Sequence, residues 1–462
     1  MAGVKRKADA FHSDVCPSVS GGGGSGGGGA VRAPATPFAL PRDAPGAVTT
    51  LLSTLQGEHS IGRGILGFFT MCEARALRLV CHELREAVTA ARWLDRGVVR
   101  IAGPLAAWRA SFPGAHAFAV DVSGREDLRD ADLAHLAGVR AISMPYCTGV
   151  TSAGLVHLRG VRALDMRWCS GVVDVSHLAG VHTLSITGCK WVSAASVAAL
   201  AGIHTLHMGG CSATDAALAG LRGIHTLDIS GCPGVTDAGL AHLRGVHTLR
   251  MPGCSQITDA GIAHLRGIHT LDARNCILVT DAGLAHLGGG GTHALCVGGC
   301  RVTDAGLAHL AGVPKLDISG CTRVTDAGLA HLAGIHALGA AVLDGRGPLI
   351  TDAGLAHLAG IHTLDVRGSG EITDAGLAHL TGIRALHAGG AARITDAGLA
   401  HLRGVGVLDL SWRGTSYGAP KGPQISDAGL AHLAGVHTLC LASSRGVTDA
   451  GLVHLASAHA GH

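Results

Sequence analysis

Histidine and cysteine are the residue types here with most capacity for chemistry, and both are abundant, at 30 and 14 of 462 residues. Both recur at fixed intervals. Cys147, Cys169, Cys189, Cys211, Cys232, Cys254, Cys276, Cys300 and Cys321 follow one another at gaps of 20 to 24 residues. Thirteen histidines, from His135 to His454, share one position of the same period, and nine, from His182 to His437, share another. Imidazoles and thiolates bind zinc, but a zinc site needs three or four ligands converging on one point. A residue repeated once per unit stacks as a parallel row, which is not a closed shell. Cys296 and Cys300, in "CVGGC", have no second pair beside them. The N-terminal "GGGGSGGGGA" lacks the Lys-Ser/Thr ending of a phosphate loop. No Ser-His-Asp set or pair of carboxylates stands apart from the repeats. We therefore expect no catalytic residue, no metal and no cofactor. The cysteine row reads as a small buried residue where a strand turns into a loop, and the thiols imply a reducing compartment. The histidine rows should resist simultaneous protonation and lower stability below about pH 6.

Those rows must be positioned by the repeat, clearest at "IHTLDISGCPGVTDAGLAHLRG". "HTLDISG" alternates apolar and polar residues and predicts a short strand. Leu227 and Ile229 should enter the stack, with Thr226, Asp228 and Ser230 on the other face. In "VTDAGLAHL", Thr236 is placed as a helix N-cap and Asp237 sits in the first turn, where the helix dipole favours an acid. Leu240 and Leu243 share one helix face, and Gly245 turns the chain back. The Thr-Asp step recurs at Asp259, Asp281, Asp304, Asp326, Asp352, Asp374 and Asp396, with weaker copies on either side, giving about 15 units. One unit cannot bury its own apolar edge, but stacked copies share a continuous core.

The pattern Leu221, Ile224, Leu227, Ile229, Cys232 resembles the cysteine-containing leucine-rich repeat found in many F-box proteins, and the "TDAGLAHL" arrays of some bacterial and symbiont proteins. The resemblance spans roughly residues 115–462. It implies an α/β leucine-rich-repeat solenoid, a horseshoe with parallel strands on the concave face and short helices on the convex face. Longer connections at 344–350 and 412–425 should project as loops.

Four segments follow: a Gly/Pro-rich tail at 1–50, a small helical module at 51–96, a linker and N-terminal cap at 97–125, and repeats at 126–462. Within the module, Leu77, Val80, Cys81 and Leu84 form an amphipathic stripe, and Ile61, Ile65, Leu66 and Phe69 form another. The bland reading is a helical lid for the solenoid's first edge. Residues 57–95 also resemble an F-box, on Ala76-Leu77-Arg78-Leu79-Val80-Cys81 and Leu84-Arg85-Glu86-Ala87. They depart from it in lacking the leading Leu-Pro and in having Leu84 where a Trp is usual. The resemblance implies a non-catalytic substrate adaptor of a Skp1–cullin–F-box ubiquitin ligase. It would dock a Skp1-like protein through Ile65, Phe69, Leu77, Leu79 and Val80, as a monomer within the complex, with a protein target on the concave face. An effector made by a bacterium or large virus would use the same parts in host cytoplasm.

The core positions barely change from unit to unit, while the predicted concave face varies. Candidate target-binding residues there are Asp165, Arg167, His207, Asp228, Arg250, Asp272, Arg274, Asp317, Asp365, Arg367, His387 and Asp409. Asp165/Arg167, Asp272/Arg274 and Asp365/Arg367 could equally neutralise each other. Tyr146, Trp168, Trp191 and Trp412 are rare aromatics near strand ends, in a chain with only 3% aromatic residues; they could anchor a partner or equally cap the apolar stack. A net charge of +3 and the absence of long basic runs argue against a general nucleic-acid grip. No apolar run reaches membrane-spanning length, and the N-terminus lacks a secretory h-region. The expected location is cytoplasmic, with Lys5-Arg6-Lys7 as a weak nuclear-import signal.

Overall fold

The structure is a computed structural model and describes residues 98–113, 119–343, 345–411, 424–442 and 446–456. The tail and the F-box-like module, including Ile65, Phe69, Leu77, Leu79 and Val80, lie outside the described residues. The described residues fall into two compact units, divided between Val192 and Ser193.

The first unit carries five parallel strands of three residues: Val98–Arg100, Ala119–Asp121, Ala141–Ser143, Ala163–Asp165 and Thr183–Ser185. Each pairs with the next in sequence. The ladder thus begins inside the stretch read as linker and cap, which contributes two rungs and a helix, Leu105–Ser111. Later rungs return through 3-10 turns such as Asp130–Leu136 and Ser152–Leu158.

The second unit has eleven parallel strands, from Thr205–His207 to Thr438–Cys440, again paired in sequence order. The return segments are single helical turns, typified by Asp237–Leu240 running into a 3-10 turn, Ala241–Leu243. They are short because the unit is short. Thr236 caps the turn by accepting the Ala238 N–H, and Gly245 ends it at φ 82°. The strand leucines form one buried column in which Leu249, Leu271, Leu295, Leu316 and Leu338 face one another in register and are fully buried. Ile229, Leu240 and Leu243 are buried as expected.

A second column is polar. The Asp237 carboxylate accepts the backbone N–H of Thr258, one rung on, at 2.8 Å, and the Thr258 hydroxyl at 2.6 Å. Thr258 in turn caps its own helix and is followed by Asp259, which accepts from Thr280. This lock runs unbroken from Asp215 to Asp427, with Ser426 replacing threonine once. The glycine of "TDAG" belongs to it. A Cβ on Gly261 would overlap the Asp237 carboxylate, and one on Gly306 would overlap that of Asp281.

Candidate protein-interaction surface

The strand positions read as a binding face separate into a buried acidic layer and the basic groups around it. Asp272 and Asp365 are fully buried, Asp317 nearly so, and Asp228 and His387 retain under a tenth of their surface. Arg274 holds Asp272 through Nε at 2.9 Å and through a terminal nitrogen at 2.8 Å, and Arg250 approaches the same carboxylate at 3.5 Å. Arg367 holds Asp365 in the same two-pronged way, at 2.9 and 2.6 Å. Asp165 and Arg167 repeat the pairing in the first unit, at 2.9 and 2.8 Å, where both stay half-exposed. Such fork geometry orients the guanidinium. All three Asp/Arg sets present half-buried arginines to solvent, and those at Asp272 and Asp365 hide their carboxylates. Burial opposes ionisation of Asp409, but the His387 ring and the Ser411 hydroxyl and N–H outweigh it and hold its carboxyl at about 2. His207, Arg250 and Asp409 are half-buried.

The aromatics form a distinct feature of the first unit. Tyr146 and Trp168 stack with parallel rings 6.4 Å apart, both about half exposed. Their backbones lie at φ 63° and 60°. The equivalent position of most other rungs is glycine in the same conformation, as at Gly231, Gly253 and Gly320. A bulky side chain there costs free energy that glycine avoids, and exposed rings recover little of it by burial. Gly188 leaves the space that the Trp168 ring fills. Trp191 is 69% exposed. Trp412 lies outside the described residues.

No protein-family model matches the chain, and no curated protein matches it in sequence. Solved structures do resemble it. An internalin from Listeria monocytogenes aligns at 18% identity over 71% of this chain and 87% of its own, with a TM-score of 0.44. A chain of the Toll–Spatzle complex from Drosophila aligns at 13% identity over 75% of this chain and 57% of its own, with a TM-score of 0.41. A chain of the yeast Rad7–Elc1 complex aligns at 14% identity over 75% and 90%, with a TM-score of 0.38. Each unit's own geometry, one short strand and one helical turn per 20 to 31 residues on a leucine column, decides the fold. It is a leucine-rich-repeat solenoid.

The leucine-rich repeat also explains the cysteine and histidine rows. Each row cysteine is buried and carries a reduced thiol. In most of the row the thiol donates to a carbonyl of the preceding rung, as from Cys254 to Ile229 at 3.3 Å and from Cys276 to Met251 at 3.3 Å. Burial pushes the Cys169, Cys276 and Cys321 thiols up to about 12, and those of Cys189 and Cys254 up to about 11. A thiol so firmly protonated is a poor nucleophile and metal ligand. The histidines that precede the strands stack face to face: His204, His225, His247, His269 and His293 lie 4.4–5.0 Å apart, centroid to centroid. In the first four, Nδ1 lies 3.0–3.2 Å from the hydroxyl of the following threonine. Among the described residues no three histidine, cysteine or acidic side chains converge as a metal would require. Nor, among them, is any helix long and apolar enough to cross a membrane.

Two features escaped the sequence reading. The left-handed backbone at Tyr146 and Trp168 was foreshadowed by glycine at the matching position of other units. The thiol bond to the preceding rung needed the register, which no single unit specifies.

Proposed function

We propose that this chain is a substrate adaptor of a Skp1–cullin–F-box ubiquitin ligase, with the leucine-rich array as its target-binding part. The solenoid is a protein-interaction scaffold by fold. The observation that supports its use for binding is the Tyr146–Trp168 ledge, because half-exposed, stacked aromatic residues return little packing for their backbone strain. The step from scaffold to ligase adaptor is supported by the F-box-like residues 57–95 standing immediately ahead of the array. Docking of a Skp1-like protein is assigned to Ile65, Phe69, Leu77, Leu79 and Val80. The target is assigned to the strand face, to Arg167, Arg250, Arg274 and Arg367 with the aromatic ledge. Chemistry would come from other subunits, with this chain contributing proximity in the cytoplasm.

The test is capture of purified Skp1 by the full-length chain, beside a Leu79→Asp/Val80→Asp variant shown to retain its urea unfolding profile. Capture lost in the variant supports the adaptor. No capture at Skp1 concentrations well above micromolar leaves a scaffold whose N-terminal helices only seal the array.

A further inference from the structure

One groove of the second unit does not follow the regular repeat. It has a volume of about 710 Å³ and lies beside the C-terminal ends of the strands, between Pro252 and Arg346. Arg274, Arg301, Arg323 and Arg346 line it. Arg301 and Arg323 occupy one position on adjacent rungs, each bridging to the threonine of the rung before, Thr280 and Thr303. Both are exposed.

The same row shows what ordinary compensation looks like. Arg393, farther along, donates to Glu371 on its neighbouring rung at 2.8 Å. Arg301 and Arg323 have no carboxylate partner among the described residues. They stand as like charges on adjacent rungs, which are spaced about 4.8 Å apart where they pair, an arrangement that disfavours the empty face. The row is apolar on either side of them, with exposed Leu278 before and Leu349 after.

The connection inserted at 341–350 adds to the groove. Leu343 and Arg346 pair through two backbone hydrogen bonds, at 2.7 and 2.9 Å, in a tight hairpin. This hairpin delivers a further cation, Arg346, and an exposed aliphatic side chain, Leu343, to the groove wall. Asp317 also lines the groove but is buried, and Asp272 is consumed by Arg274. Asp344 lies outside the described residues.

We infer that this groove binds an extended acidic peptide segment, in which neighbouring Asp or Glu residues meet Arg301, Arg323 and Arg346 and a flanking aliphatic residue packs on Leu343 and Leu349. Guanidinium groups suit carboxylates geometrically, and the close spacing of the rungs favours adjacent acids. The inference rests on the reading of the array as the target-binding part. It gives that target a chemical signature.

The probe is a fluorescein-labelled peptide, Gly-Ser-Leu-Asp-Glu-Glu-Leu-Ser, titrated with the full-length chain and followed by polarisation. Binding should weaken about tenfold between 50 and 500 mM salt, as exposed charge pairs do. Arg301→Glu/Arg323→Glu should weaken it by at least about tenfold. Arg266→Glu/Arg403→Glu, the same charge change at exposed sites outside the groove, should leave it unaltered. No binding at low salt, equal binding of a Lys-for-acid peptide, or equal loss in both variants would overturn the inference. So would binding confined to a phosphoserine peptide or to an oligonucleotide, since the commitment is to carboxylates. Skp1 is absent from the assay. Failed Skp1 capture with intact peptide binding removes the ligase, and the reverse result removes only the groove.

Discussion

Asp281→Ala should separate two neighbouring rungs. The Asp281 carboxylate accepts the Thr303 N–H at 2.8 Å and the Thr303 hydroxyl at 2.6 Å. Hydrogen bonds to a charged acceptor each contribute about 1.5–3 kcal/mol when buried. Both residues here are half-buried, so the pair together should contribute about 2–3 kcal/mol after solvent competition. Asp281→Asn keeps one acceptor for the N–H but offers the hydroxyl an amide instead of a charge, and should cost about 1 kcal/mol. Thr303→Val keeps the backbone N–H bond to Asp281 but loses the hydroxyl bond and the cap on the Ala305 N–H, at 3.3 Å, so the double variant should fall short of the sum by about 1 kcal/mol, the shared hydroxyl bond. A long array does not unfold as one unit. Hydrogen exchange of peptides spanning 281–310 is therefore the primary assay, with urea unfolding alongside. A companion change sharpens the test. Gly306→Ala drives a methyl into the Asp281 carboxylate and should destabilise the native sequence, yet be tolerated when residue 281 is alanine. A cost below about 0.5 kcal/mol for Asp281→Ala, or unchanged intolerance at Gly306, would refute the lock as a source of stability.

Three further outcomes are expected. Ser369 stands where earlier rungs have the cysteine, and its buried hydroxyl makes no hydrogen bond; Ser369→Cys should raise the urea midpoint by the equivalent of about 1 kcal/mol, and a fall would show that the thiol has no carbonyl to reach. Trp168→Gly removes a stacked ring but relieves a left-handed backbone, so stability should stay within about 1 kcal/mol of the parent, whereas a loss above about 2 kcal/mol would make the ring a packing element. Burial and the neighbouring imidazoles hold His225 below the ordinary 6.5, and burial, His362 and nearby cations do the same for His336. Below pH 6.5 the unfolded chain then binds more protons than the folded one, so stability is full above that value and falls as pH drops toward the lowered values. Melts at pH 7.5 and 5.5 that coincide would contradict this.

The strand and turn of each unit were legible because their causes are local. Leu227 and Ile229 alternate with polar residues, Thr236 caps, and Gly245 turns the chain back. What escaped depends on the neighbouring rung. Asp237 was read as a dipole partner of its own helix, yet its two strong bonds go to Thr258, twenty-one residues on. The cysteine was read as merely small, but a small apolar residue would not make the thiol's bond to the preceding rung. The strand-face candidates were chosen by alternation. Alternation marks the side of the sheet but not the depth, so Asp272, Asp317 and Asp365 proved buried beneath their arginine and serine neighbours. The groove at Arg301 and Arg323 depends on an insertion that periodicity registers only as an interruption.

The threonine–aspartate lock has a direction. Each unit offers a carboxylate forward and a hydroxyl backward, so any unit cut at its Thr-Asp step carries one complete half of both joints. A duplicated segment of whole units would meet matching surfaces at each end without any compensating change. Copy number in such a chain is thus free to drift, and the span of its strand face with it. The few residues that break the uniformity, among them the stacked aromatics and the paired arginines, are then what gives any position along it an address.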